Sequence, residues 1–511
     1  MSFDKAIYIS IALLTVLAIF FKWWFSYWKR KGLECPETSI PFGNTKDLFL
    51  GRSCFGETWK DIYFQLKSKG LRHGGVYFSL KRVYMPVDLQ LVKNILQNDF
   101  QHFHGHGLYV NEEVDPLSAN LFNLDGPKWK TLRSKLTPTF TSGKLKMMFQ
   151  TLVDCSGGLK EILEEHRRGN IPVDVKDVMG RFTTDIIGSC AFGIECNSMK
   201  NPQSDFRKYG IKAIHPDVIW TLKMMIQLLF PHSLLRSLNF IASNPQVTSF
   251  FHGLVSDTIK CREDNNVVRK DFMHLLIQLK NKGDIGDDGN VADSGESGFL
   301  TLNEVVAQSL MFFVGGFETS STTLNFAAYE LALHPDVQEK LRKEINEVLE
   351  KHENQLTYDT IMEMTYMDQV IYETLRKHPP LQQLFRICSK AYRVPGTDVV
   401  IDEGTMVMVP IWGIHCDPEY YPDPEKFDPE RFNEENKSKR PQFAWLPFGE
   451  GPRICIGLRF GMMQTKIGLI TLLKQFKIGL NDGTKYPMVY SKSGIIAAPE
   501  GTILIDLHEI P

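Results

Sequence analysis

Residues 448–457 read Phe-Gly-Glu-Gly-Pro-Arg-Ile-Cys-Ile-Gly, and they are the most informative segment of the chain. Three glycines in so short a segment are typical of a tight loop whose backbone approaches a flat, bulky group. Cys455 directly precedes an amphipathic helical pattern, and a helix N-terminus stabilises an anion and lowers the pKa of a thiol. The segment therefore predicts a thiolate at Cys455.

Arg453 adds a cation two residues before this cysteine. A thiolate ligand with a nearby cation suits haem, because the iron takes an axial ligand and the propionates need cationic partners. The alternative is a buried structural cysteine at a helix cap. The complete Phe-Gly-x-Gly-x-Arg-x-Cys-x-Gly frame favours the haem ligand.

A second segment, residues 315–320, reads Gly-Gly-Phe-Glu-Thr-Ser and follows the apolar run 305–314. Adjacent glycines inside a helix cost about 1 kcal/mol each relative to alanine, and burying Glu318 is expensive unless it is paired or protonated. Such costs are tolerated at functional sites, where a ligand could lie against the glycines while Glu318 and Thr319 deliver protons to bound oxygen. A packing helix with Thr319 bonded back to a carbonyl is the alternative, and this segment alone leaves both open.

The cysteine loop resembles the haem-binding loop of the cytochromes P450, the haem-thiolate monooxygenases, and residues 315–320 resemble the oxygen-activation motif of that family. Further family motifs follow in the expected order across the chain. They are Trp129-x-x-x-Arg133, Glu373-x-x-Arg376, Arg386 and Pro429-Glu-Arg431-Phe432. Residues 115–118, 271–273 and 373–380 are similar to insect members of family six.

The resemblance implies a haem b cofactor with Cys455 as the metal ligand and with Glu318 and Thr319 as the catalytic pair. The other implied haem-binding residues are Phe448, Gly449, Arg453, Trp129, Arg133 and Arg386. Glu373, Arg376 and Arg431 are expected to form a structural cluster behind the haem.

By the same resemblance, an apolar pocket receives the substrate, and phenylalanine-rich walls favour apolar or aromatic ligands. For each wall residue, ordinary core packing is the alternative. The expected residues are Tyr109, Leu121, Phe122, Phe312, Phe313, Gly316, Phe317, Leu381, Leu384 and Ile495.

His106 stands where related chains usually have an arginine. We expect a solvent-facing loop histidine. If His106 instead touches a propionate, haem retention would fall above neutral pH as the imidazolium is lost.

Composition excludes several classes of protein. The 511 residues are 43% apolar and 23% charged with a net charge of −2, which excludes disorder and gives no support for a nucleic-acid binder. The nine cysteines are odd in number and contain no Cys-x-x-Cys pair, which argues against a disulfide framework and a structural zinc site.

The N-terminus predicts a single membrane anchor. An apolar run over residues 6–21 is followed by an aromatic cluster suited to the membrane interface and by a basic stop at 29–31. The positive-inside rule places the rest of the chain in the cytosol. We therefore expect an anchor over residues 1–31, a proline-containing linker over 32–44 and one catalytic domain over 45–511.

Periodicity predicts that this domain is mainly helical with small sheets. Long helical patterns cover 144–168, 301–334, 336–352 and 457–475, and strand-like pieces lie near 75–86 and 390–410. Residues 283–298, rich in Gly, Asp and Ser, predict an exposed loop that ends at a capping box formed by Thr301 and Glu304.

No flavin or dinucleotide motif is present, so electrons must come from a partner. The resemblance implies NADPH–cytochrome P450 reductase, with cytochrome b5 as a further candidate, at the endoplasmic reticulum (microsomal) membrane. A set of basic residues around one helix could steer an acidic partner or could simply be solvated. It comprises Lys128, Lys130, Arg133, Lys135, Lys144 and Lys146.

The function expected from the resemblance is NADPH- and O2-dependent hydroxylation or epoxidation of lipophilic small molecules, including xenobiotics such as plant toxins or insecticides. The alternatives are a monooxygenase dedicated to one endogenous lipid, hormone or pheromone, a haem-thiolate isomerase or dehydratase, and a non-enzymatic haem sensor. The last two do not need the intact pair of Glu318 and Thr319.

Overall fold

A computed structural model describes residues 3–214, 217–283 and 299–510. These residues form a mainly helical fold with three small sheets, as the periodicity predicts. The α-helices, in chain order, are α1 Phe3–Phe25, α2 Tyr27–Arg30, α3 Lys46–Phe49, α4 Phe55–Ser68, α5 Leu89–Lys93, α6 Gly126–Leu136, α7 Ser142–Arg168, α8 Val175–Ile187, α9 Asp205–Ile214, α10 Val218–Leu229, α11 His232–Ser237, α12 Pro245–Asp264, α13 Phe272–Lys282, α14 Leu302–Leu333, α15 Pro335–Lys351, α16 Tyr358–Glu363, α17 Thr365–Lys377, α18 Ile411–His415, α19 Glu434–Lys439 and α20 Leu458–Leu473.

The strands are short and lie at the edges of the helical body. They are β1 His73–Phe78, β2 Lys81–Pro86, β3 Val173–Asp174, β4 Leu384–Ile387, β5 Tyr392–Arg393, β6 Val400–Ile401, β7 Met406–Val409, β8 Phe476–Leu480 and β9 Leu504–Glu509. One sheet has the order β1-β2-β7-β4, a second the order β3-β9-β8, and β5 pairs with β6. In the first sheet, β2 and β7 run parallel while the other neighbours are antiparallel.

Helix α14 forms the centre of the larger hydrophobic core. The predicted capping box starts it, since the Thr301 hydroxyl accepts from the Glu304 backbone N–H and the Glu304 carboxylate accepts from the Thr301 N–H. Of the loop predicted before it, residues 284–298 lie outside the described residues. Helix α14 packs against α8 and α20, so it crosses the interior of the body. Such a helix can place functional groups deep in the fold.

A smaller core surrounds the four-stranded sheet and includes residues from the N-terminal segment. Helix α1 contains an apolar stretch, Ile7–Phe25, long enough to span a membrane. Trp28, however, is fully buried, and its indole N–H donates to the Val76 carbonyl at 3.0 Å. Lys31 pairs with Asp402 at 2.6 Å.

Contacts in this region go beyond what the sequence predicts. The β1–β2 hairpin covers Trp28, the last residue of the aromatic cluster. The predicted linker over residues 32–44 is bonded to the body, since the Asn44 side chain bonds the Pro36 and Glu37 carbonyls and the Tyr77 N–H. Contacts with the body therefore begin before residue 31.

Candidate active site

The loop that carries Cys455 is held in shape by its own backbone. The Cys455 N–H donates to the Phe448 carbonyl at 2.9 Å. Gly449 and Gly451 have φ values of +69° and +74°, which favour glycine. A Cβ atom at Gly451 would lie 2.0 Å from the Leu96 carbonyl oxygen, so no other residue fits there. The loop fixes Cys455 just before α20.

The Cys455 side chain is accessible to solvent although protein surrounds it. Burial raises the pKa of its thiol, and the Gly457 backbone N–H and the Arg133 charge oppose that rise. Within the protein alone, burial thus outweighs the groups that lower this pKa. A coordinated metal ion would deprotonate the thiol outright.

Arg453 lies beside this loop, and no carboxylate among the described residues forms an ion pair with it. Its guanidinium donates to the His104 carbonyl at 2.9 Å and the Leu124 carbonyl at 2.5 Å, and it stacks over the Trp129 ring at 4.1 Å. Burial, and next the nearby charge of Arg386, lower its pKa to about 9. Such a cation is costly to keep charged unless an anion joins it.

Arg386 repeats this pattern on β4. It is 1% exposed. Within the part of the chain that the structure describes, it donates only to the carbonyl of its neighbour Phe385, at 2.7 Å, and has no partner at Nε. Burial lowers its pKa to about 10. Arg133, one of the other predicted site residues, donates to the Ile454 carbonyl at 3.0 Å. These arginines meet beside the Cys455 loop and fit an anionic ligand.

The predicted structural cluster is fully assembled. Arg376 makes two hydrogen bonds to the Glu373 carboxylate, at 2.7 and 2.9 Å, and both side chains are buried. Arg376 also donates to the His415 and Pro424 carbonyls. Arg431 lies 3.5 Å from Glu373. The charge of Arg376 is thus paired within the chain.

On α14, the Thr319 hydroxyl donates to the Gly315 carbonyl at 2.5 Å. The packing-helix alternative predicts this local bond. The bond leaves the hydroxyl oxygen able to accept a hydrogen bond. Glu318 is 4% exposed and points elsewhere: its Oε1 accepts from Lys176 Nζ at 2.7 Å, while Oε2 has no partner. The sequence analysis missed Lys176, which lies 142 residues away on α8.

The family model for cytochrome P450 matches residues 46–505. The chain belongs to the cytochrome P450 family. It is 43% identical over 512 residues to "Probable cytochrome P450 6a20" of Drosophila melanogaster, covering 98% of this chain and all of that protein. It is 42% identical to "Cytochrome P450 6a2" and 39% identical to "Cytochrome P450 6a8" of the same organism, covering 97–99% of each chain.

The residues of this cytochrome P450 fit the haem-thiolate iron that the family uses. Cys455 offers an accessible sulfur donor in a loop that glycine keeps open. Arg386 and Arg453 are buried cations that lack a carboxylate partner, and the propionates of haem would supply one. The family assignment makes the protein a monooxygenase.

The predicted pocket of the P450 needs correction on α14. Successive helical residues are about 100° apart, so Phe317 lies nearly opposite Thr319 and Phe313 lies about 120° away from it. Their rings stack on each other at 5.3 Å, and both residues belong to the buried core. A Cβ atom at Gly316 would lie 2.3 Å from Ile187, so this glycine permits packing against α8.

Gly315 and Phe312 lie on the same side of α14 as Thr319. At Gly315, a Cβ atom would meet only the Met311 side chain, at 3.8 Å, so this glycine, absent from the predicted pocket, has open space beside it. Phe312 is half-buried against Phe140 and Phe272. Gly315 could have been predicted from the sequence by its four-residue spacing from Thr319, which places both on one side of the helix.

The remaining predicted pocket residues differ in environment. Tyr109 is buried and its hydroxyl donates to the Phe240 carbonyl at 2.9 Å. Leu121 is buried, with its N–H bonded to Gln308 at 2.8 Å, while Phe122 is exposed. Leu381, Leu384 and Ile495 are half-buried, and Leu384 lies 3.6 Å from the Cβ position of Gly449.

His106 is not the solvent-facing histidine that we expected. Its Nδ1 bonds the Phe122 carbonyl at 2.7 Å, and the two rings stack at 4.4 Å. Burial, followed by the charges of Arg386 and Arg453, lowers its pKa well below the ordinary value. His106 is therefore neutral at pH 7, with the proton on Nδ1 because a carbonyl only accepts.

The predicted basic set around α6 is smaller than its sequence suggests. Lys128 pairs with Glu112 at 2.8 Å, and Lys146 pairs with Asp359 at 2.5 Å. Arg133 turns inward to the cysteine loop. The role of this set in steering a reductase stays a prediction.

Proposed function

We propose that this cytochrome P450 uses NADPH and O2 to hydroxylate or epoxidise lipophilic small molecules, with xenobiotics such as plant toxins or insecticides as its substrate class. The observation that carries the proposal is the intact pair of Glu318 and Thr319 on the central helix of a protein with the Cys455 loop. An isomerase, a dehydratase or a haem sensor does not need a proton supply. The apolar side chains of Phe312, Leu381 and Ile495 support a lipophilic substrate.

In this mechanism the haem, held by Cys455 and by the cations Arg386 and Arg453, supplies oxygen activation. The protein supplies protons and position. Thr319 Oγ1 is anchored by its bond to the Gly315 carbonyl, and its lone pairs accept a hydrogen bond from a water molecule. Glu318 holds a carboxylate whose Oε2 has no partner among the described residues.

Lys176 orients this carboxylate and links it to solvent. Its side chain is 27% exposed, and Nζ bonds both Glu318 and the Thr322 hydroxyl. Because Glu318 is held toward Lys176, a water molecule must relay its proton, and Thr319 Oγ1 positions that water by accepting a hydrogen bond from it. Glu318 and Thr319 thus act from adjacent sides of α14, about 100° apart.

Electrons for this reaction would come from a flavin-bearing NADPH–cytochrome P450 reductase, with cytochrome b5 as a further donor. We place the protein in the endoplasmic reticulum membrane with its body in the cytosol. The apolar stretch Ile7–Phe25 and the basic residues 29–31 after it support this orientation.

The first test is the carbon-monoxide difference spectrum of the reduced full-length protein. We expect the strongly red-shifted Soret band of a thiolate-ligated haem, and we expect Cys455→Ser to abolish it. Cys261→Ser is the matched control, because Cys261 is an exposed cysteine on α12 and should keep the band. A folded wild-type protein without haem would contradict the assignment of Cys455.

The second test asks what Thr319 does. With reductase and a panel of plant toxins and insecticides, Thr319→Ala should keep the spectrum but divert NADPH electrons to hydrogen peroxide, lowering product per NADPH by about tenfold. Thr319→Ser keeps the hydroxyl and should keep the coupling. Product formation without NADPH would favour an isomerase, and turnover of a single endogenous lipid, hormone or pheromone would favour a dedicated enzyme.

A further inference from the structure

A large cavity lies between the end of α1, the β1–β2 hairpin and α11. Its volume is about 1190 Å³, above the range of about 300–1,000 Å³ of cavities that hold drug-sized ligands. Near Leu124 and Asp125 it borders the arginine-rich site. Much of its lining is apolar, namely Trp24, Tyr27, Phe78, Leu80, Leu108, Val110, Leu229, Phe230 and Ile387.

Lys81, at the start of β2, faces this cavity without a partner. Among the described residues, no hydrogen bond or ion pair engages its Nζ. Burial lowers the pKa of Lys81, and no nearby carboxylate opposes that shift. A lysine in an apolar wall is costly to keep charged unless an anion reaches it.

Two further basic groups line the same cavity from α11. His232 and Arg236 are one turn apart, and Arg236 Nε donates to the Val110 carbonyl at 3.1 Å without an acidic partner. Burial, and next the charges of Lys81 and Arg236, lower the pKa of His232. The three basic side chains therefore lie close enough to act on one ligand.

The carboxylates of the lining do not neutralise this group. Glu112 is paired with Lys128 at 2.8 Å, and Asp402 is paired with Lys31 at 2.6 Å. Asp125, at the inner end, opposes the pKa shifts of both Arg453 and His232, but at His232 its effect comes after burial and the charges of Lys81 and Arg236. The other two are Glu113 and Glu403, both exposed to solvent.

The surface next to the cavity is unusually apolar. Helices α10 and α11, with the residues that follow them, expose a band of large hydrophobic side chains that no described part of the chain covers. The band comprises Val218, Ile219, Leu222, Leu229, Phe230, Leu234, Leu238 and Ile241. Leu229 and Phe230 also line the cavity, so the apolar surface runs into it.

We propose that this cavity binds an anionic amphiphile. A carboxylate or phosphate head is held by Lys81 Nζ with Arg236 beside it, and the hydrocarbon chain lies along Leu229, Phe230 and the other apolar lining. The anionic head matches the unpaired positive charge of the cavity, and the hydrocarbon chain matches the apolar wall next to it. The inference does not depend on the proposed substrate class.

The test uses the full-length holoprotein in a non-ionic detergent, with bound ligands counted by native mass spectrometry. Dodecyl phosphate and lauric acid should each bind as one molecule, whereas dodecanol, which lacks the charge, should not. Lys81→Gln should lower the affinity for dodecyl phosphate by at least about tenfold, since a hydrogen bond to a charged group is lost. Lys81→Arg should retain binding, and Lys477→Gln, an exposed lysine on β8, should leave it unchanged.

Further arms identify the source of the anion. Stronger binding of phosphatidylglycerol than of dodecyl phosphate would support a membrane lipid, and the reverse would support a free single-chain amphiphile. If inorganic phosphate binds as tightly as dodecyl phosphate, the proposal is overturned, because the apolar wall then contributes nothing. Equal binding of dodecanol, or unchanged binding by Lys81→Gln in protein with a normal Soret band, would also overturn it.

Discussion

Arg376 and Arg386 are both buried arginines, but their surroundings differ completely. Arg376 meets a carboxylate at two atoms and two further carbonyls, so its charge is balanced inside the chain. Arg386 meets only the carbonyl of its neighbour among the described residues and faces a second cation, Arg453, which has no ion pair there. A buried ion pair that is complete needs nothing from outside, whereas a buried cation without an anion is destabilising until a ligand supplies one.

This difference separates the part of the protein that holds the fold from the part that receives the cofactor. Sequence motifs alone do not make the distinction, because both arginines belong to family motifs. The contacts of the two arginines do make the distinction. They predict that substitutions at the paired and unpaired sites change the free energy of unfolding in opposite directions.

The largest effect is expected at the paired site. Glu373→Gln removes the charge that balances Arg376 and leaves a buried guanidinium uncompensated, which should lower the free energy of unfolding by about 3–5 kcal/mol. Urea unfolding followed by circular dichroism measures this loss. Glu347→Gln, at an exposed glutamate on α15, should change little, and an unaltered midpoint for Glu373→Gln would contradict the structural role of the cluster.

The reverse pattern is expected at the unpaired site. Arg386→Met removes a cation that burial destabilises, so the free energy of unfolding of the haem-free protein should rise by about 1 kcal/mol or more. Retention of haem should fall, because a propionate loses its partner. Transfer of haem to a competing apoprotein measures the second effect.

Arg393→Met is the control for both measurements, since Arg393 lies on the surface beside Asp398. A loss of haem-free stability in Arg386→Met would mean that the carbonyl contact outweighs burial. The two arginines would then be equivalent, and the comparison would fail.

The smallest effect is expected at His106. Its pKa in the folded protein lies well below the ordinary value near 6.5, so the folded state resists protonation while the unfolded state does not. Neutral His106 therefore makes its whole contribution to the free energy of unfolding above pH 6.5, and this contribution is lost as the pH falls below 6.5. Haem retention should not decline from pH 7 to 9.

His106→Gln should flatten part of the acid-side decline in the urea midpoint between pH 6.5 and 5. His508→Gln, an exposed histidine on β9, should leave the slope unchanged. A decline of haem retention above pH 7 that disappears in His106→Gln would instead show that His106 is charged in the folded protein.

The parts of the site that sequence predicted are those set by local spacing. The glycine frame around Cys455 and the three-residue step from Glu373 to Arg376 fix their geometry within one loop or one helical turn. The capping box at Thr301 is equally local. The mainly helical fold followed from periodicity for the same reason.

The predictions that failed depended on distant contacts or on the face of a helix. Lys176 reaches Glu318 from a separate helix, and no local pattern connects them. Phe313 and Phe317 are expected in the pocket by resemblance to the family, although helical rotation turns them away from Thr319. Trp28 looked like a membrane-interface residue because only the folded hairpin reveals what covers it.

The burial of Trp28 has a mechanical consequence. A flexible connection between α1 and the body would let the body swing freely. Two further hydrogen bonds oppose this motion, since the Trp24 indole N–H donates to the Leu80 carbonyl and the Tyr77 hydroxyl donates to the Trp24 carbonyl. The last turns of α1 are thus clamped to the β1–β2 hairpin. With α1 in a bilayer, the tilt of that one helix would set the angle at which the whole body leans over the lipid, so a change in bilayer thickness would be transmitted to the body as a rotation.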